Sequence, residues 1–294
     1  MRLFALLPLL FASCIVPELS PEGRPCPCPD GYSCHPTSQT CVEGEIANVG
    51  GAANTGGGGA GGDAIEVPPG MVDAGSFYVD ATEVTRAQYA EFMAAGFDPA
   101  TLGATCDWNT TYAPLEEVGS YCEDIPYDFS KANVPITCVD WCDAALYCAW
   151  AGKRLCGRVG GGSAAIDELN DPAKSEWYAA CSANGTRKYP YVDGLQAQPD
   201  DEACNTSNSG GTPIGVGERV GCNGGYEGIF DMVGNVEEWE NACDFNDSPK
   251  DAGCEMRGYA FYDSPIDAVC TRADRRPHRD FAANSLGFRC CRDL

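Results

Sequence analysis

Nineteen cysteines, two histidines and forty-three carboxylates define the chemistry open to this 294-residue chain. With only His35 and His278, little is present from which to build a Ser-His or Cys-His nucleophile. Asp263 and Asp267 are close enough in sequence to act as an acid and a base, or to form a solvated acidic loop. Arg275-Arg276-Pro277-His278-Arg279 is the one basic cluster, readable as an anion site or as a surface loop paired with Asp274 and Asp280. The cysteines separate by spacing. Cys14 stands alone, and Cys26, Cys28, Cys34 and Cys41 form a tight group. Fourteen more follow: Cys106, Cys122, Cys138, Cys142, Cys148, Cys156, Cys181, Cys204, Cys222, Cys243, Cys254, Cys270, Cys290 and Cys291. Both groups are even, so each can close its own bridges, while connectivity is not legible. Such density belongs to an oxidising compartment, with zinc at Cys34-His35 as the alternative for the small group.

Cys14 carries its own signal. Arg2 and the apolar run Leu3 to Ala12 have the make-up of an export signal and are too short to span a bilayer. Ala12-Ser13-Cys14 is similar to a bacterial lipobox, which implies cleavage before Cys14 and its acylation. An ordinary secretory signal preceding a cysteine is the alternative. By the usual sorting rule, Ile15 after the anchor implies the outer membrane or cell surface.

The expected organisation is a signal peptide over 1–13, an anchor with a small cysteine-rich module over 14–43, a linker over 44–66 and a large domain over 67–294. The small module is too short for a core and depends on cross-links. The glycine-rich linker has nothing to bury and reaches about 5–6 Å times the square root of its residue number. The net charge of −24 excludes nucleic acid and anionic lipid headgroups as ligands, because both need a positive surface.

Local signals in the large domain are mixed helix and strand. A strand is expected over Gly75–Val79, and a helix capped by Thr85 over Arg86–Ala95. A second helix starts after Asp140, with Trp141, Ala144, Ala145, Tyr147, Cys148 and Trp150 at helical spacing, and stops at Gly152. A third spans Ser175–Cys181. Beyond it, glycine-, asparagine- and proline-rich sequence predicts irregular chain held by disulfides.

Six blocks then carry a family resemblance. They are Glu83-Val84-Thr85…Gln88-Tyr89…Phe92, Pro135-Ile136…Val139…Trp141…Asp143-Ala144, Trp150-Ala151-Gly152-Lys153-Arg154-Leu155, Glu176-Trp177-Tyr178-Ala179-Ala180, Gly228-Ile229-Phe230-Asp231-Met232-Val233-Gly234-Asn235-Val236-Glu237-Glu238-Trp239, and Arg257-Gly258 with Leu286-Gly287-Phe288-Arg289-Cys290. In this order the chain resembles the formylglycine-generating enzyme (sulfatase-modifying factor) family. The resemblance implies an α+β, C-type-lectin-like fold. It also implies a function: active members oxidise a sulfatase cysteine to formylglycine with two copper(I)-binding thiols. Soft thiolates suit that ion.

Counting from Arg257, the two thiol positions read Asp263 and Ala268; counting back from Gly287-Phe288-Arg289 moves the second to about Ile266, and the sole neighbouring cysteine is Cys270. Tyr259 and Ala260 stand where the motif has Gly and Ser, and Glu237 replaces a Trp. No catalytic residues and no copper are therefore expected. The resemblance also implies a structural calcium held by Asp231, Gly234, Val236 and Glu238, a hard-oxygen set that suits Ca²⁺. A second family calcium site starting at Asn205-Thr206 lacks its later acidic partner here. The expected function is a lipid-anchored, extracytoplasmic, non-catalytic protein with a binding or structural role toward a protein or carbohydrate ligand. Its alternatives are an active copper-dependent formylglycine-generating oxidase and a hydrolase of unrecognised chemistry.

Overall fold

The computed structural model describes residues 67–116, 121–122, 129–207, 211–244 and 248–294, with the backbone alone of 32–34, 41–43 and 99–100. The chain forms two compact units, Met1–Thr55 and Gly56–Leu294. In the first, β1 (Tyr32–Cys34) pairs antiparallel with β2 (Cys41–Glu43), with Cys34 opposite Cys41 in register. Cys14, Cys26 and Cys28, and the side chains of Cys34 and Cys41, lie outside the described residues.

The second unit begins with β3 (Met71–Asp73) and β4 (Phe77–Asp80), an antiparallel hairpin. Sequence placed one strand over Gly75–Val79, but Gly75 is in the turn, with φ +88° and its N–H donating to Asp73 Oδ1 at 2.7 Å. α1 (Arg86–Ala95) follows. Its N-terminus is closed by a reciprocal cap in which Gln88 N–H donates to Thr85 Oγ1 at 3.3 Å and Thr85 N–H donates to Gln88 Oε1 at 2.8 Å. Gly96 ends it at φ 65°. α2 (Trp141–Trp150) is capped the same way by Asp140 and Asp143. α2 is buried nearly all round, and α3 (Glu176–Cys181), capped by Ser175, is buried along its whole length.

Two sheets hold these helices. β5 (Arg154–Leu155) and β9 (Cys290–Asp293) complete a four-stranded antiparallel sheet of order β3-β4-β9-β5. β6 (Glu237–Cys243) lies between antiparallel β7 (Cys254–Arg257) and parallel β8 (Leu286–Phe288). β8 and β9 are separated by Arg289 alone, so the chain passes from one sheet to the other at that buried residue.

β6 escapes a hydropathy reading because Glu237, Glu238 and Glu240 are all buried. Each faces an arginine: Arg275 at 2.6 Å, Arg289 at 2.7 Å and Arg257 at 3.9 Å respectively. Paired burial of this kind is the condition under which carboxylates enter an interior. One apolar core gathers Tyr89, Phe92, Ile136, Tyr147, Trp239 and Phe288, and a second gathers Phe77, Val79, Trp177, Ile229, Met232 and Val233. The glycine-rich second half therefore supplies much of both cores.

Seven disulfides join all fourteen cysteines of this unit: Cys106–Cys142, Cys122–Cys138, Cys148–Cys290, Cys156–Cys291, Cys181–Cys270, Cys204–Cys222 and Cys243–Cys254. Adjacent Cys290 and Cys291 bridge to two different partners, one at the end of α2 and one just after β5.

Candidate functional site

β6, β7 and the two loops that follow β7 build one polar face. Asp263 lies in the first loop. Its Oδ2 accepts from Ala260 N–H at 2.9 Å, which closes a local turn, and its Oδ1 accepts from Arg275 Nη2 at 3.0 Å. The other arm of Arg275 donates to Glu237 Oε1 at 2.6 Å. One guanidinium thus clamps two carboxylates from separate elements, as its planar fork allows. Burial pushes the Glu237 carboxyl up to about 7, against the lowering effect of Arg275.

Tyr259, in a position where the family motif has glycine, adopts φ +62°. Its ring lies under Arg275 at 4.3 Å and Arg272 at 5.1 Å, and its hydroxyl donates to Asp274 at 3.0 Å. These contacts offset the left-handed backbone, which costs a non-glycine residue about 1–2 kcal/mol. Burial is the leading influence raising the phenol's pKa. Tyr262 completes the face, with its hydroxyl 3.3 Å from Ser285 Oγ.

The second thiol position, Ala268, is buried against the core. Cys270 is bonded to Cys181. No pair of cysteines among the described residues is left as thiols.

The basic cluster pairs differently from its sequence neighbours. Arg275 takes Glu237 and Asp263, and Arg276 takes Glu255 at 3.5 Å and Asp244 at 3.8 Å. Asp274 serves Arg272 and Asp280 serves Lys250. The loop folds back on β6 and β7, so its partners come from the sheet. Asp267 also joins Arg272, at 3.3 Å, so Asp263 and Asp267 are held by different arginines.

The four residues expected to hold calcium lie in the turn leading into β6 and at the start of that strand. Asp231 has φ 57° and accepts from Gly217 N–H through Oδ2 at 2.6 Å. Gly234 has φ 74°, and a Cβ there would stand 2.6 Å from the Asn205 carbonyl oxygen, so no larger residue fits. Val236 is fully buried. Glu238 accepts from Arg289 through both oxygens and from Trp177 Nε1 at 2.8 Å.

Glu83 completes this cluster. Burial and then the charge of Asp231 raise its pKa, and burial lifts Asp231 to about 7. Three carboxyls thus surround Arg289, and Glu83 Oε2 accepts no hydrogen bond. The cluster needs protons or a cation to balance its charge. Its oxygens have the hardness Ca²⁺ prefers, while Glu238 is the member already committed to an arginine. Sequence reasoning singled out Asp231 and Glu238 and passed over Glu83 and Arg289, although both lie in the recognised blocks.

Comparison with known proteins places this geometry in context. A bovine (Bos taurus) protein, "Inactive C-alpha-formylglycine-generating enzyme 2", is 31% identical over 178 residues, which is 54% of this chain and 50% of that protein. The chain thus spans about half the length of that relative. A formylglycine-generating enzyme from Streptomyces coelicolor is 26% identical over 276 residues, covering 78% of this chain and 82% of its own. The fold is similar to that of PvdO from Pseudomonas aeruginosa, with a TM-score of 0.50 and 18% identity over 74% of this chain and 80% of that one. The model of the sulfatase-modifying factor enzyme 1-like domain matches residues 33–294. The chain therefore belongs to that family and has its α+β, C-type-lectin-like fold, rich in irregular structure and disulfides.

Proposed function

We propose that the chain is a lipid-anchored extracytoplasmic protein whose formylglycine-generating-enzyme-like domain is non-catalytic and serves a binding or structural role. The observation that carries the reading is the state of the thiol positions. They read Asp263, held by Arg275, and Ala268, buried in the core, and the fourteen cysteines of this unit are all in disulfides. Copper(I) has no thiolate pair to bind there. The similarity to a relative named as inactive supports the same reading. The alternative, an active copper-dependent oxidase, draws on the likeness to the Streptomyces enzyme.

One experiment separates the two. The full chain is incubated with copper and a cysteine-containing sulfatase peptide, and the peptide mass is read. An unchanged cysteine is expected; conversion to formylglycine above background would establish the oxidase.

Lipidation at Cys14 and outer-membrane or cell-surface placement complete the proposal. Seven disulfides fit an oxidising compartment. No described helix is long and apolar enough to cross a membrane. Labelled fatty acid should appear on the protein and be lost in Cys14→Ser. Membrane retention of that variant would reveal another anchor.

Calcium at Asp231, Gly234, Val236 and Glu238 is proposed as a structural ion. Millimolar Ca²⁺ should raise the melting temperature of the wild type and leave Asp231→Ala unmoved; equal behaviour of the two would remove calcium from the site.

A further inference from the structure

We propose that Cys243–Cys254 is a thiol–disulfide exchange site, the one bridge of this unit that a dithiol reductant in solution opens while the fold persists. A dithiol can act here whether or not the domain is catalytic. Of the fourteen cysteines of this unit, thirteen are buried and Cys243 is partly exposed. Exchange begins with a thiolate reaching a sulfur from solvent, so access decides which bridge reacts. Cys243–Cys254 also closes the shortest loop of the seven, with a sequence separation of 11 against 16 to 142 for the others. Loop entropy therefore favours it least. Its two residues stand directly opposite each other on β6 and β7. Asp244 N–H donates to the Gly253 carbonyl at 2.8 Å, so the next pair inward, Cys243 and Cys254, is the non-hydrogen-bonded kind, in which neighbouring strands come closest. The two Cα atoms are 4.0 Å apart, below the range of about 4.4–6.8 Å that bridges usually span. Once opened, the pair can relax to the ordinary strand spacing of about 4.5 Å.

The strands stay paired without the sulfurs. β7 is bonded on both edges. Trp239 lies opposite Met256 on the β6 side, and on the far side Cys254 N–H and Met256 N–H donate to the carbonyls of Pro277 and Arg275, each at 2.9 Å. What the bridge adds is a pin. Glu240, Asn241 and Ala242 on β6 lie against Glu255 alone on β7, so the ladder is broken there and the bridge holds the register beyond the break. Exchange runs in two steps. A thiolate of the reductant, its proton lost to solvent, bonds to Cys243 Sγ, the side that solvent reaches. The S–S bond breaks and its electron pair leaves on Cys254 Sγ, which takes a proton from solvent. The reductant's second thiol loses its proton, attacks the mixed disulfide and releases Cys243, which is protonated in turn. The reductant ends as a disulfide, and the domain gains two thiols.

The test is a dithiothreitol series on the full chain under native conditions, quenched with acid and N-ethylmaleimide and read by peptide mass. Scoring by peptide keeps the cysteines before residue 67 out of the result. Cys243 and Cys254 should label at a reductant concentration about tenfold or more below that needed by the other cysteines of the unit. The two-thiol form should still melt in one cooperative transition. A thioredoxin-type Cys-x-x-Cys protein, reduced and with its second cysteine replaced by serine, should be trapped as a mixed disulfide on Cys243. The paired variant Cys243→Ser with Cys254→Ser should fold and capture no trap on this unit. Earlier or simultaneous opening of another bridge would overturn the proposal, as would absence of capture or capture on Cys254. Loss of the cooperative melt on first opening, or failure of the paired variant to fold, would show that the bridge is needed for the fold and would overturn it as well.

Discussion

Arg289 answers to three carboxyls, Glu238, Glu83 and Asp231, and bonds to two backbone carbonyls, those of Asp80 and Phe230. It is fully buried, so its loss would strand Glu238 without its cation. Breaking such a pair from one side costs about 3–5 kcal/mol. Arg289→Met should lower stability by that amount in denaturant unfolding. Adding Glu238→Gln should restore part of the loss, because the stranded charge is then gone. Full additivity of the two changes would show that the pair is not coupled. Sequence blocks pointed to both residues without joining them, since Glu238 and Arg289 lie 51 positions apart. Asp263 stands out in the sequence by its place in a recognised motif. Its clamp by Arg275 does not, because the sequence neighbours Asp274 and Asp280 were equally plausible partners and only the fold brings Glu237 within reach.

Helices were the legible elements. All three lie within a residue of their sequence-predicted bounds, because caps and helical spacing are local signals. Thr85 makes the point quantitatively. Thr85→Ala removes the hydroxyl that accepts from Gln88 N–H, and caps of this kind contribute about 0.5–2 kcal/mol. Thr85→Ser should retain most of that in thermal melts, and an equal loss in both would show that the methyl group matters instead. The strands were harder. β6 reads as a polar tract, and its three inward glutamates are tolerated only because arginines from distant segments meet them. β8 and β9 are short, and their pairing in two different sheets is a tertiary fact that no local pattern encodes.

Across the whole molecule, buried carboxyls set the response to pH. Burial lifts Asp140 and Glu255 to about 7 and raises Asp143 well above its ordinary value. The folded state therefore holds protons that the unfolded chain releases from about pH 4 upward. More protons bound in the folded state means stability is full below pH 4, falls as pH rises toward 7, and is flat beyond. A net charge of −24 pushes in the same direction. Melting temperature should be higher at pH 5 than at pH 8 by calorimetry, and the reverse order would contradict the assigned directions. Disulfides are the other global term. Cys148–Cys290 spans 142 positions and Cys156–Cys291 spans 135, and chain-entropy arguments give about 5 kcal/mol for whichever closes first and less for the other, whose loop is then short. Against a domain stability of about 5–15 kcal/mol, complete reduction should unfold the domain at or below its working temperature. An unchanged melt with reductant would show that the two apolar cores suffice.

Residues 286–294 include strands of both sheets. At about 5–20 residues per second, the wait between Cys156 and Cys291 is about 7–27 s. Throughout that interval Cys148 and Cys156 have no correct partner, while other upstream cysteines are already within reach. The nascent chain is thus exposed to premature cross-linking, and its yield depends on thiol exchange that can undo wrong pairs after Cys290 and Cys291 arrive. A chain truncated before Cys290 keeps every helix and most of the core residues, yet it has no native way to finish.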